Sequence, residues 1–275
     1  MRAALLLLLL ATPAIAAAEK AYVVASDQPA FTEAAKAAVL ALGGDAELLR
    51  ADDAAKDALA GAGVVVAVGP LADRLVNANA GANLRVVACL TPRSSGTHSV
   101  SVPLQPSATD VLALVRVVLP SVHKVGVFTS AGSNQSEIVA AARDSGLEVV
   151  FPRNGEAFAA AVDRLTEVAD LVWIEDSASV PNGGAALVVK KASDEHKQVI
   201  GPNRATVMQG AFFAVVPDPT AHGKAAGEAA ARMLKGDDVR SVPAPVGRIV
   251  INGALAKTLG MKIPATVAKR AEMIE

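Results

Sequence analysis

The chain has 275 residues, 52% of them apolar, a single cysteine and a formal net charge of −1 at neutral pH. So balanced a charge gives no electrostatic footprint for nucleic acid or an anionic membrane surface, and one cysteine, Cys89, excludes an internal disulfide. The length exceeds the ~100–200 residues of one ordinary domain, so two lobes are expected.

At the start of the chain, Arg2 is followed by the apolar run Leu5–Leu10 and then by small residues at Ala14-Ile15-Ala16 and Ala16-Ala17-Ala18. This is the pattern of a cleavable secretory signal peptide, assigned to residues 1–18. The run is cut by Thr12-Pro13 and closes at Glu19-Lys20, short of the ~20 apolar residues that a membrane-spanning helix requires. No cysteine lies near the cleavage region to carry a lipid, so the mature chain is expected in the periplasm without membrane insertion.

From Ala21 onward short apolar runs alternate with helical patterns, as parallel strands joined by crossover helices do. Strands are predicted at Tyr22–Ala25, Ala46–Leu49, Val64–Val68, Arg85–Leu90 and Val100–Val102, with helices at Phe31–Leu42, Asp53–Ala60 and Leu71–Ala78. Val64–Val68 is apolar throughout, as suits a central strand buried on both faces. Cys89, in the run Leu84–Leu90, reads as a buried, inert thiol. A second cycle follows Leu104-Gln105-Pro106, with helices at Ala108–Leu119, Glu137–Ser145, Phe158–Val168, Gly183–Ala192 and His222–Leu234. Its strands are predicted at Lys124–Phe128, Glu148–Phe151, Leu171–Ile174, Val199-Ile200 and Ala211–Val216. The fold class is therefore α/β, with two doubly wound Rossmann-like lobes and a ligand cleft between them. The first lobe is assigned to residues 19–105, completed by about 219–242, and the second to 106–218, completed by about 243–275. Crossings between the lobes are expected near Leu104–Pro106, Pro217–Pro219 and Pro243–Pro245.

Open α/β sheets bind ligands where loops leave the carboxyl ends of the strands. That rule nominates Ser26, Asp27, Gly69 and Thr91 in the first lobe. In the second lobe it nominates Thr129, Ser130, Ser133, Asn134, Glu175, Asp176, Asn203 and Asp218. Each has a purely structural alternative, since loops are polar in any protein. The unpaired N–H groups of the helix that follows Ser130–Ser136 suit a ligand carboxylate, with Ser130, Ser133 and Asn134 as further donors. Glu175, Asp176 or Asp218 suits an ammonium group, which together describes a zwitterionic or amide-bearing molecule such as an amino acid. The eight aromatic side chains, six Phe, one Tyr and one Trp, are few for the platforms of sugar receptors and cation cages. Trp173, in mid-strand, reads as core.

The chain has no Gly-x-Ser-x-Gly, Cys-x-x-Cys, His-Glu-x-x-His or Walker A loop. No catalytic residue, metal or cofactor is expected, and His98, His123, His196 and His222, which are dispersed beside polar residues, read as surface histidines.

The C-terminal third carries Gly223-Lys-Ala-Ala-Gly-Glu-Ala-Ala-Ala-Arg-Met-Leu-Lys-Gly236, Pro243, Ile249-Val-Ile-Asn252, Ala256-Lys-Thr-Leu-Gly260, Ile263-Pro264 and Ala271-Glu272. This order resembles the ABC transporter substrate-binding proteins of the type I periplasmic binding fold, the group that includes tryptophan and tyrosine receptors. Ala113–Pro120 followed by Lys124–Phe128, and Val66–Gly69 upstream, are similar to the same family. Where family members usually carry Asp-Pro and a later Gly-Gly-Asn with Thr-Gly, this chain has Thr91-Pro-Arg-Ser-Ser-Gly-Thr-His98. The resemblance implies a monomeric receptor that closes on a small-molecule solute and delivers it to ABC permease and ATPase subunits; the same fold would also serve a periplasmic sensor or accessory protein with a non-ABC partner. The alanine- and glycine-rich helix 222–235 suits tight packing on a sheet, and Asn252 and Gly260 suit a turn and a cap.

Overall fold

The computed structural model describes residues 20–275 except 45, 55, 56, 82, 83, 93, 95, 97, 98, 131, 132 and 134. The signal peptide expected over 1–18, His98 and the candidate Asn134 therefore lie outside the described residues.

The first sheet is built from β1 (Lys20–Ala25), β2 (Glu47–Arg50), β3 (Ala62–Val68), β4 (Arg85–Cys89) and β5 (Ser99–Ser101), in the order β2-β1-β3-β4-β5 and parallel throughout. Helices α1 (Pro29–Ala41) and α2 (Pro70–Asn79) are its crossovers. The unbroken apolar run of β3 has a direct explanation in the two faces of this sheet. Val64, Val66 and Val68 point into one core, and Val65 and Ala67 into the other, so no position is left for a polar residue. Cys89 is buried in the first of these cores, and burial pushes its thiol up to about 12, which keeps it protonated and unreactive.

The second sheet has seven strands in the order β12-β11-β10-β9-β8-β6-β7. They are β6 (Lys124–Phe128), β7 (Glu148–Val150), β8 (Leu171–Ile174), β9 (Gln198–Gly201), β10 (Phe213–Val216), β11 (Arg248–Asn252) and β12 (Ala271–Ile274). Helices α3 (Ala108–Val118), α4 (Gln135–Asp144), α5 (Phe158–Val168), α6 (Gly184–Asp194) and the short α7 (Arg204–Met208) accompany β6 to β10. β11 runs antiparallel to β10, the one departure from parallel pairing in this sheet among the described strands.

The long helix α8 (Pro219–Leu234) leaves the end of β10 and packs on α1, β3 and β4 of the first sheet before the chain returns to β11. The chain thus passes between the sheets over residues 102–107, at 217–218 and over 235–247. Two short helices, α9 (Gly253–Thr258) and α10 (Ala265–Ala268), lie between β11 and β12. The nearest partner of α8 is a helix as well as the sheet. A Cβ on Gly223 would stand 1.9 Å from the Ala34 carbonyl oxygen, and one on Gly227 would stand 2.5 Å from that of Ala38. Only glycine permits backbones to approach so closely.

Several sequence expectations need correction. The helix expected over Asp53–Ala60 is a single 3-10 turn at Ala51–Asp53 followed by turns that end at Gly61, anchored among the described residues by the buried Ala51, Ala54 and Leu59. α7, β11 and β12 are absent from the sequence expectation; each is four or five residues long, too short for periodicity alone to mark it. His222 is not a surface residue; it is 1% exposed. His123 and His196 are exposed, and Trp173 is core at 3%.

The α1–α8 contact predicts that Gly223→Ala destabilises the folded chain by about 1–3 kcal/mol, the usual result of overpacking against a backbone that cannot yield. Urea unfolding checks this, with Gly236→Ala, beside which no atom lies within 4 Å of the added Cβ, as the comparison for simple backbone strain.

Candidate ligand site

At the first sheet the candidate residues are held in different ways. Asp27 pairs with Arg50 at 2.7 Å, both side chains largely exposed, an arrangement worth little. Gly69 has φ +88° and donates its N–H to the Cys89 carbonyl at 2.9 Å; the Phe31 ring lies where a Cβ would stand. Thr91 is buried. The Ser26 hydroxyl is buried without a hydrogen-bond partner, a state that costs about 1–3 kcal/mol unless a partner arrives. The loop after β4 is organised by residues that sequence reasoning passed over. The buried Asp73 carboxylate accepts from Ser94 Oγ at 2.6 Å and from Asn77 Nδ2 at 2.8 Å, and Ser99 Oγ donates to Asn77 Oδ1 at 2.9 Å. An acidic residue on the apolar face of α2, between Ala72 and Val76, was the available signal.

At the second sheet three candidates are committed to the chain itself. Asp176 caps the 3-10 turn Ser177–Ser179, accepting from Ala178 N and Ser179 N at 2.5 and 3.0 Å. Asn203 caps α7 through Thr206 N and donates to Ser177 Oγ at 3.0 Å, joining the loops after β8 and β9. Asp218 caps α8 through Ala221 N and receives Arg248 Nε at 2.9 Å. Burial opposes the charge of Asp218, but the Arg248 bond and the backbone bonds prevail and hold its carboxyl below the usual range. Thr129 accepts a 3.3 Å bond from Gln135 at the start of α4.

Ser130, Ser133 and Glu175 form a separate group. Ser133 Oγ donates to Glu175 Oε2 at 2.5 Å, and Ser130 Oγ lies 3.0 Å from Ser133 Oγ. The half-buried Glu175 carboxyl is pushed up by burial; the Ser133 bond pulls the other way, and the charges of Asp176 and Glu137 add to the rise. Glu175 faces a hollow of about 300 Å³. Glu137 and Ile138 of α4, Trp173 and Glu175 at the end of β8, the segment Pro103 to Ala108 and Ala244 line it. Two of the interlobe connections therefore meet the second sheet at this hollow. Among the residues that line it none is basic. The four first-lobe candidates do not line it, and among the described second-lobe candidates only Glu175 does. Another hollow of about 290 Å³ is lined mostly by apolar residues, among them Leu114, Val117, Val215 and Val267, with Asp110 and Arg270 also on its wall. Among the described residues, no three His, Cys, Asp or Glu side chains gather as a metal ion would require.

The sequence pattern of the family described as ABC transporter substrate binding protein matches residues 95–274. The chain belongs to that family. Solved structures agree on the fold. The ABC domain in complex with L-Trp from Streptococcus pneumonia is 21% identical, with a TM-score of 0.54 over 94% of this chain and 99% of that one. The ligand-free, open structure of CD0873, a substrate binding protein with adhesive properties from Clostridium difficile, is 17% identical, with a TM-score of 0.65 over 93% and 98%. A chain of the XylFII-LytSN complex is 14% identical, with a TM-score of 0.58 over 82% and 95%. No curated protein matches the sequence. This substrate-binding protein is thus a two-lobed type I periplasmic binding fold, and among its described residues no helix is long and apolar enough to cross a membrane.

Because Glu175 holds its proton more tightly in the folded chain than in the unfolded one, its stability contribution is full below the ordinary carboxylate range and is lost as pH rises through the raised folded value. Glu175→Gln is therefore expected to raise the melting temperature of the ligand-free protein at pH 7, with the difference vanishing below about pH 4. Melting curves across that range check it; a variant less stable at pH 7 would assign Glu175 a structural role instead.

Proposed function

We propose that this protein is the solute receptor of an ABC transporter, and that the hollow beside Glu175 takes the ammonium group of a small polar solute such as an amino acid. The observation that carries this reading is the placement of Glu175. It is a half-buried carboxylate at the carboxyl end of β8, held by Ser133, facing a hollow whose described lining includes a second carboxylate and no basic side chain. A carboxylate kept where burial works against it is the mark of a group awaiting a counter-charge. Asp176 and Asp218, the other sequence candidates for that role, already have partners.

In this reading the lobes are residues 19–105 with α8, and 106–218 with the segment from β11 onward. The solute is recognised between them, and closure is what the permease and ATPase sense. The protein performs no chemistry on the solute, acts as a monomer and works in the periplasm after removal of residues 1–18.

A thermal-shift panel of amino acids, their amides, simple amines and sugars tests the proposal. Solutes with a primary ammonium are expected to raise the melting temperature, by about 2.7 kcal/mol of stabilisation at a hundredfold excess over Kd. Glu175→Gln is expected to weaken the same solute about ten- to a hundredfold, the usual worth of a charged hydrogen bond. Stabilisation by neutral sugars alone, or equal affinity in the variant, overturns the ammonium assignment. Solute binding without any association with a permease and ATPase would favour the sensor or accessory role.

A further inference from the structure

The second lobe carries a second hollow, of about 290 Å³, that shares no lining residue with the one beside Glu175. Leu114 and Val117 of α3, Val215 of β10 and Val267 of α10 give it aliphatic walls. Val246 and Gly247, the last residues of the third passage between the lobes, complete it. Glycine at 247 lets that passage lie close over β10. A Cβ there would stand 2.6 Å from Val215 Cγ1 and 2.7 Å from the Val216 carbonyl oxygen.

Val117 and Val246 are 50% and 56% exposed, so part of this wall is aliphatic surface that the fold leaves in water. Covering such surface with an apolar body is favourable in proportion to the area removed from water. A single exposed aliphatic side chain is ordinary, but two on the wall of one concave, largely apolar hollow are the mark of a ligand pocket. The charged groups on the wall are unequal. The Asp110 carboxylate is committed to the first turn of α3, where it accepts from Ser107 Oγ at 2.7 Å and the helix end offsets its charge. The exposed guanidinium of Arg270 pairs with no acceptor among the described residues.

We propose that this hollow is a second ligand site and takes a small aliphatic carboxylate, its hydrocarbon body against Leu114, Val117, Val246 and Val267 and its carboxylate on Arg270. A guanidinium presents a planar fork that meets a carboxylate with two parallel N–H bonds, an arrangement that an amide matches poorly and an amine opposes. The volume stands at the lower end of the range of about 300–1,000 Å³ usual for small-molecule pockets, which suits one short hydrocarbon chain and is too little for a two-chain lipid. Because Val246 and Gly247 end the third passage, an occupant packs that end against α3 and α10. What binds here is independent of the solute taken beside Glu175.

The test titrates the chain, labelled at its Ile, Leu and Val methyl groups, with octanoate and with its neutral and cationic counterparts octanamide and octylamine. Octanoate is expected to shift the methyl resonances of Leu114, Val117 and Val246 and to leave Ile138, on the wall beside Glu175, in place. Octanamide should bind about ten- to a hundredfold more weakly, the usual worth of a hydrogen bond to a charged group, and octylamine more weakly still. Arg270→Gln, a change at an exposed position, should weaken octanoate by the same factor and leave octanamide unchanged. No shift at the three methyl-bearing residues, a larger shift at Ile138, equal affinity for acid and amide, or undiminished octanoate binding by Arg270→Gln overturns the proposal. The comparison of acid with amide is made on the wild-type chain, so it decides the matter even where the variant fails to fold.

Discussion

The close approach of α8 to α1 is the constraint on which the architecture rests. Gly223 and Gly227 bring the α8 backbone against the Ala34 and Ala38 carbonyls of α1, and Ala226, Ala229 and Ala230 join the first-lobe core beside them. A helix that follows β10 of the second sheet is thereby bound to the first, and the chain must return to complete the second with β11 and β12. Three interlobe passages, instead of one, follow from that packing. Each sheet retains its own core of apolar side chains, so relative motion of the lobes disturbs connections and leaves the packed interiors intact.

The polar residues at the strand ends divide according to whether the chain satisfies them. Asp176, Asn203 and Asp218 spend their acceptors on helix and turn N-termini or on Arg248, contacts that hold local geometry and leave little to offer a solute. Glu175 accepts from the Ser133 hydroxyl and the Ser130 backbone, yet burial and two neighbouring carboxylates prevail and push its carboxyl up. That contrast, more than position at a strand end, separates Glu175 from the capping residues. The Asp73 network belongs to the first category, since its work is to hold the loop after β4.

The hinge is richer in charge than the cores it joins. Arg248 bridges Asp218 and Glu33 while about half exposed, so salt weakens those pairs, whereas the His222 ring, 3.1 Å from the Pro103 carbonyl oxygen, is buried. The two kinds of contact give the same junction an exposed component and a more buried one. The second shares Pro103 with the hollow, so the interlobe junction and the hollow are neighbours in space although they are assembled from remote parts of the chain.

Much of the fold was legible in the sequence because it is encoded locally. The apolar runs Lys124–Phe128 and Leu171–Ile174 and the amphipathic stretch Phe158–Val168 are observed with the bounds that their composition implied. The family likewise showed itself through glycine, proline and asparagine at fixed places near the C-terminus, residues whose backbone roles depend on their neighbours in sequence. Which strand-end residues face the hollow, and that His222 is buried, were decided only by the tertiary structure. His222 and Pro103 lie 119 positions apart, and Arg248 and Glu33 lie 215 apart. Whether a carboxylate or an imidazole finds a partner depends on which distant backbone folds against it, and hydrophobic periodicity, which reports only that a face is covered, does not say by what.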